Sequence, residues 1–141
     1  NKKKIQSKLK DNSVFDEKIF MYLENDDLCK RVKKKNEKIF IIPNSKIKHL
    51  GAKGVSDNFY NEIELSRNWH WSWSKFYYQK KHNGFIIAII KFFPKFLGSL
   101  LKFLIYLVVG KKFKSQIYYN RAMGFFNSII GKSSWYRPRV D

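Results

Sequence analysis

With 141 residues, 29 Lys and Arg against 11 Asp and Glu, and a formal net charge of +18, the chain is one modest domain with a one-sided field. That field implies an anionic partner: lipid headgroups, nucleic acid or diphosphate groups. A single cysteine, Cys29, excludes an intrachain disulfide and fits a reducing compartment, and His49, His70 and His82 have no zinc-site spacing with it.

Residues 1–12 are polar and Lys-rich, without a phosphate-cradling glycine loop. The run from Phe15 to Arg31 then places Glu24, Asp26 and Asp27 where a helix is expected to begin, at the positive end of its dipole. Leu28, Cys29 and Val32 supply its apolar stripe, Lys33 to Lys35 suit its C-terminal end, and Asn36 can take the left-handed conformation that closes it. Carboxylates gathered at such a mouth either bind a metal or take a proton, or simply cap the helix.

Lys46 to His49 alternates like a short strand, ahead of a loop holding Gly51 and Gly54. The segment from Arg67 to His82 mixes Trp, Tyr and basic residues, a composition that suits a membrane–water boundary or single-stranded nucleic acid. Phe85 to Val109 is almost continuously apolar, interrupted by Lys91, Pro94, Lys95, Gly98, Ser99 and Lys102. At about 100° per residue the three lysines fall within about 40° of one another. The run is too broken to cross a bilayer, so one or two helices lying in the interface are expected, with Lys91, Lys95 and Lys102 toward the headgroups. A buried helical hairpin is the competing reading of that run. A last helix is expected from about Phe113 to Ile130, followed by a basic tail. Ten of the 11 acids lie at or before Glu64, whereas Leu65 to Val140 holds 14 Lys and Arg and no acid.

The run Phe15-Asp16-Glu17, Phe20-x-Tyr22-x-Glu24, Asp27-Leu28-Cys29-x-Arg31 resembles a segment of family 2 glycosyltransferases, rhamnosyltransferase-like enzymes of the GT-A fold. The resemblance extends to Lys38–Pro43, which is similar to the family's next strand, and to Ile47–Gly51, and more weakly to Arg121–Gly124 and Gly131-Lys132. It implies an α/β fold, with residues 1–58 the C-terminal part of the catalytic domain, mostly helical with two short strands, and 59–141 a set of basic, membrane-associating helices. It further implies inverting transfer of a sugar from a nucleotide diphosphate sugar, with Mg²⁺ or Mn²⁺, to a glycan or lipid-linked acceptor at the cytoplasmic face of the membrane.

In that family a Glu-Asp pair lies beside the acceptor hydroxyl. Here the pair reads Glu24-Asn25, so either Glu24 or Asp26 takes the base role, Glu24 with Asp27 in support being preferred, or this copy is catalytically impaired. The resemblance makes His49 a metal ligand, and Arg67, Lys81 and His82 the groups that meet a diphosphate. A donor-binding half with an Asp-x-Asp motif should precede the acidic helix, and only 23 residues do, so the chain is expected to be part of a longer enzyme. The competing class is a non-catalytic cationic protein of the membrane surface; a nucleic-acid-binding module ranks third.

Overall fold

The computed structural model describes residues 13–48 and 57–137. All regular structure within them is helical: α1 (Glu24–Lys34), a short 3-10 turn (Asp57–Phe59), α2 (Tyr60–Asn83), α3 (Phe85–Val108) and α4 (Lys112–Ile129). The long helices stop where glycine turns the backbone. Gly84, at φ 92°, is the single residue between α2 and α3. Gly110, at φ 75°, ends α3 and lets the Lys111 N–H donate to the Tyr106 carbonyl at 2.9 Å, which satisfies a carbonyl the helix end would leave open. α3 continues through Pro94 as one helix. The ring removes one backbone hydrogen bond there, a defect tolerated because Ala88 and Phe92 anchor the same helix in the core.

α2, α3 and α4 pack against one another, and their shared core is Phe76, Ala88, Phe92 and Phe125, flanked by Ile89, Phe96 and Ile129. The α2–α4 contact is close because Gly124 has no side chain: a Cβ there would overlap the Trp69 carbonyl oxygen. The C-terminal segment folds back over α2 as far as it is described. Buried His70 donates from Nε2 to the Tyr136 carbonyl at 2.7 Å, since a carbonyl can only accept, and Nδ1 therefore accepts from the Ser134 hydroxyl at 2.8 Å. Trp73 Nε1 donates to the Lys132 carbonyl at 2.9 Å, and Trp69 stacks on Tyr136.

α1 starts without a capping side chain. Instead Tyr22 and Leu23 both take left-handed backbone, at φ 68° and 67°, a conformation that costs an L-residue about 1–2 kcal/mol. Contacts from α2 hold the turn: Ser74 Oγ donates to the Met21 carbonyl at 2.7 Å, and Arg67 Nε to the Tyr22 hydroxyl at 3.0 Å. At the other end Asn36 closes the helix at φ 58°. Cys29 is exposed rather than on a buried stripe, and the fully buried residue of α1 is Asp27.

The α/β expectation is overturned. No strand exists among the described residues: Lys38–Pro43 and Lys46–Lys48 are irregular and exposed, with Ile41 90% accessible. β-branched residues favour a strand only where a neighbouring strand and a packing face receive them, and the described chain offers neither. The all-helical architecture is incompatible with a GT-A sheet. The family 2 resemblance and the α/β class it implied are corrected accordingly.

Candidate functional site

Charge is organised in two places. The first is where α1 meets the end of α2. Asp27 Oδ2 accepts from Arg31 Nε at 2.7 Å, while Oδ1 accepts from Lys81 Nζ at 2.7 Å and His82 Nε2 at 2.8 Å. Lys81 also reaches Asp16 Oδ2 at 2.7 Å, which accepts from the Tyr77 hydroxyl at 2.8 Å. Arg31 Nη2 donates to the Val14 carbonyl at 2.6 Å and so ties the segment before α1 to the same cluster. Burial pushes the Asp27 carboxyl up, but the hydrogen bonds from Lys81, Arg31 and His82 outweigh it and hold the group below its ordinary value. Asp16 behaves alike: burial raises it, and Lys81, the Lys18 N–H and Tyr77 bring it lower. His82 goes down because burial disfavours its charge more than Asp27 favours it, so it donates as a neutral imidazole. Two carboxylates are thus matched by two permanent cations.

This geometry locates the residues the sequence singled out. Asp27, Lys81 and His82 come together, bonded to one another. Asp26 is exposed; Glu24 is half-buried, and its Oε2 has no partner among the described residues. Arg67 lies on a separate shallow groove with Tyr22, Glu64, Asn68 and Trp71, and His49 lies outside the described residues. The expected Mg²⁺ or Mn²⁺ does not fit. No group of three or more His, Cys, Asp or Glu among the described residues is placed to hold a metal ion. Both Asp27 oxygens already face cations and hydrogen-bond donors, which would repel a metal. With neither sheet nor metal group, the reading as a nucleotide-sugar-dependent glycosyltransferase, and as an enzyme of that class, is corrected.

The second place is a cleft of about 310 Å³ between α2, α3 and α4. Its walls carry four cations, Lys75 from α2, Lys95 and Lys102 from α3, and Arg121 from α4, together with Trp71, Tyr118 and Phe125. No carboxylate lines it, and none of the four cations is in an ion pair among the described residues. Aromatic faces hold them in place: Lys75 Nζ sits 4.1 Å from the Trp71 ring centre, Lys102 Nζ 5.2 Å and the Arg121 guanidinium 5.1 Å from that of Tyr118. Arg121 Nε donates to Asn68 Oδ1 at 2.7 Å, and Asn68 is itself fixed by donating to Glu64 at 2.7 Å. Burial pushes the Lys75 ammonium down, and the nearby charges of Lys95 and Arg121 push it further.

Sequence reasoning found Lys95 and Lys102 through their helical stripe. It missed Lys75, Arg121, Trp71 and Tyr118 as parts of a site. The usable signal was local, since Trp71 and Lys75 lie four apart and Tyr118 and Arg121 three apart, each pair on one helix face.

Beside the cleft, α3 turns a seam of Ile86, Ile90, Phe93, Leu97, Leu101, Leu104 and Val108 outward, at spacings of three and four. Ile86 is 74%, Ile90 68%, Leu101 61% and Val108 88% exposed. No helix among the described residues is long and apolar enough to cross a membrane. The chain matches no protein-family model, and no curated protein or solved structure matches it significantly.

Proposed function

We propose that this chain binds the surface of an anionic membrane without catalysing a reaction, laying α3 into the interface with its apolar seam toward the acyl chains. The exposed seam carries this reading. Seven large apolar residues along about 33 Å of helix, at about 1.5 Å per residue, leave more apolar surface in water than scattered exposed residues would. Lys91, Lys95 and Lys102 stand on the other side of α3, roughly 120–160° round the helix from the seam at about 100° per residue, where headgroup phosphates lie when the seam faces the acyl chains.

Charge selects this occupant over a second copy of the chain. Two copies stacked on their seams would press together bodies of net charge +18 each, whereas an anionic leaflet attracts every copy. The anionic cytoplasmic leaflet fits this partner and the exposed thiol of Cys29. Nucleic acid is the weaker partner, because a polyanion gives the seam nothing to bury against.

The test is flotation with phosphatidylcholine vesicles with and without phosphatidylglycerol. The protein is expected to float with the anionic vesicles. Ile90→Glu is expected to weaken that binding by tenfold or more, because it removes about 1.5–3 kcal/mol of apolar burial at a position that costs the fold nothing. Protein that stays in the soluble fraction, or forms a dimer that Ile90→Glu dissociates, defeats the reading.

A further inference from the structure

We infer that the cleft between α2, α3 and α4 is a binding site for a phosphomonoester dianion, with Lys75, Lys95, Lys102 and Arg121 as its ligands. The inference rests on the membrane reading only for the source of the phosphate, a lipid headgroup; the chemistry of recognition stands on the cleft itself.

Lys75 and Arg121 are half-buried and Lys95 and Lys102 exposed at the mouth, so four charges of one sign face one concave space and an entering anion relieves their repulsion. The shift of Lys75 is a local sign of that strain. Where α1 meets α2 the charge is matched: Asp27 and Asp16 have Arg31 and Lys81. The cleft has no such partner on its own walls, and from Leu65 to Val140 the sequence has no acid to offer.

The ligand chemistry follows from the donors. Arg121 is held at Nε by Asn68, which leaves the terminal nitrogens of its fork without a partner among the described residues. A planar fork matches the oxygens of a phosphoryl group, and three ammonium groups suit its remaining charge better than a single carboxylate would. Ser99 does not compete as a donor, because its hydroxyl already donates to the Lys95 carbonyl at 2.8 Å. At about 310 Å³ the cleft exceeds one phosphate, and Trp71 and Tyr118 provide a wall for what the phosphate is attached to. The cleft lies across α3 from the seam, about one helix diameter, or about 10 Å, away. That is the level of the headgroups when an interfacial helix reaches the acyl boundary.

Gly98 gives the cleanest test. It lines the cleft, and a Cβ built on it meets nothing within 4 Å, so Gly98→Leu fills the space without touching the core. Full-length protein is titrated onto phosphatidic acid vesicles and onto phosphatidylglycerol vesicles adjusted to the same zeta potential, and separately with inorganic phosphate by calorimetry. The expected result is a preference of about tenfold or more for phosphatidic acid, the worth of one added charge-assisted hydrogen bond. Gly98→Leu and Lys75→Met should abolish it while binding to phosphatidylglycerol persists. Equal binding to both vesicles, unchanged by Gly98→Leu, overturns the cleft and leaves the membrane reading intact. Binding of inorganic phosphate that Gly98→Leu removes, without binding to any vesicle, defeats the membrane reading and assigns the cleft to a soluble phosphorylated ligand. No binding in either assay defeats both.

Discussion

The Asp27 cluster and the cationic cleft are built from the same kinds of side chain and do opposite things. In the first, two carboxylates and two permanent cations close on one another at 2.7 Å, and the result is a fastener between α1 and α2. In the second, four cations converge with no acid among their neighbours, and the result is a demand for an anion from outside. Matched charge builds scaffold and unmatched charge builds a site. The comparison predicts that substitutions at the two places change stability in opposite directions.

The largest effect is expected at Asp27. Asp27→Ala removes the buried carboxylate that Arg31 and Lys81 pair with and leaves His82 Nε2 without its acceptor, the situation in which breaking a buried ion pair costs about 3–5 kcal/mol. Urea unfolding followed by tryptophan fluorescence measures this. A loss below about 1 kcal/mol would mean that the cluster is not a fastener, and the contrast with the cleft would lose one of its sides.

The limits of sequence reading run along the same divide. Local features were legible: the last helix, expected from Phe113 to Ile130, spans Lys112–Ile129, and Asn36 makes the left-handed turn that its side chain permits. The glycosyltransferase-like motif misled for a physical reason. Asp16, Tyr22 and Asp27 are spent on contacts with α2, and Arg31 on holding Asp27 and the Val14 carbonyl, so their spacing records a helical docking as readily as a catalytic centre. Ile39, Ile41 and Ile42 carry strand propensity that no partner realises among the described residues. The cleft was illegible because its walls come from three helices, and nothing in a one-dimensional pattern brings Lys75 beside Arg121.

Acid titration sharpens the comparison with a smaller effect. Burial lowers His70, with the charge of Arg137 adding to it, and burial also lowers His82. Below the ordinary value of 6.5 the unfolded chain therefore takes up protons that the folded imidazoles refuse, and stability falls as pH falls. The limiting slope is about 1.4 kcal/mol per pH unit for each histidine. Asp16 and Asp27 are depressed below 3.8, so the stability they supply is present above that value and is lost only as pH falls through their lower folded values. Thermal unfolding across pH should show two declines, the upper one reduced in His70→Asn. A single decline confined to the carboxylate range would show that the histidines carry no linkage.

The smallest effect is the most discriminating, because its sign is unusual for a substitution at a half-buried position. Lys75→Met, one atom shorter, exchanges the cation–π contact with Trp71 for a thioether–aromatic one while removing a charge that Lys95 and Arg121 oppose. The fold should gain up to about 1 kcal/mol, read as a rise of a few degrees in Tm, while phosphate binding weakens. A residue kept for packing would lose stability on replacement. A residue kept for an absent anion gains stability and loses its ligand, and adding inorganic phosphate should narrow the difference in Tm by stabilising the wild-type chain alone.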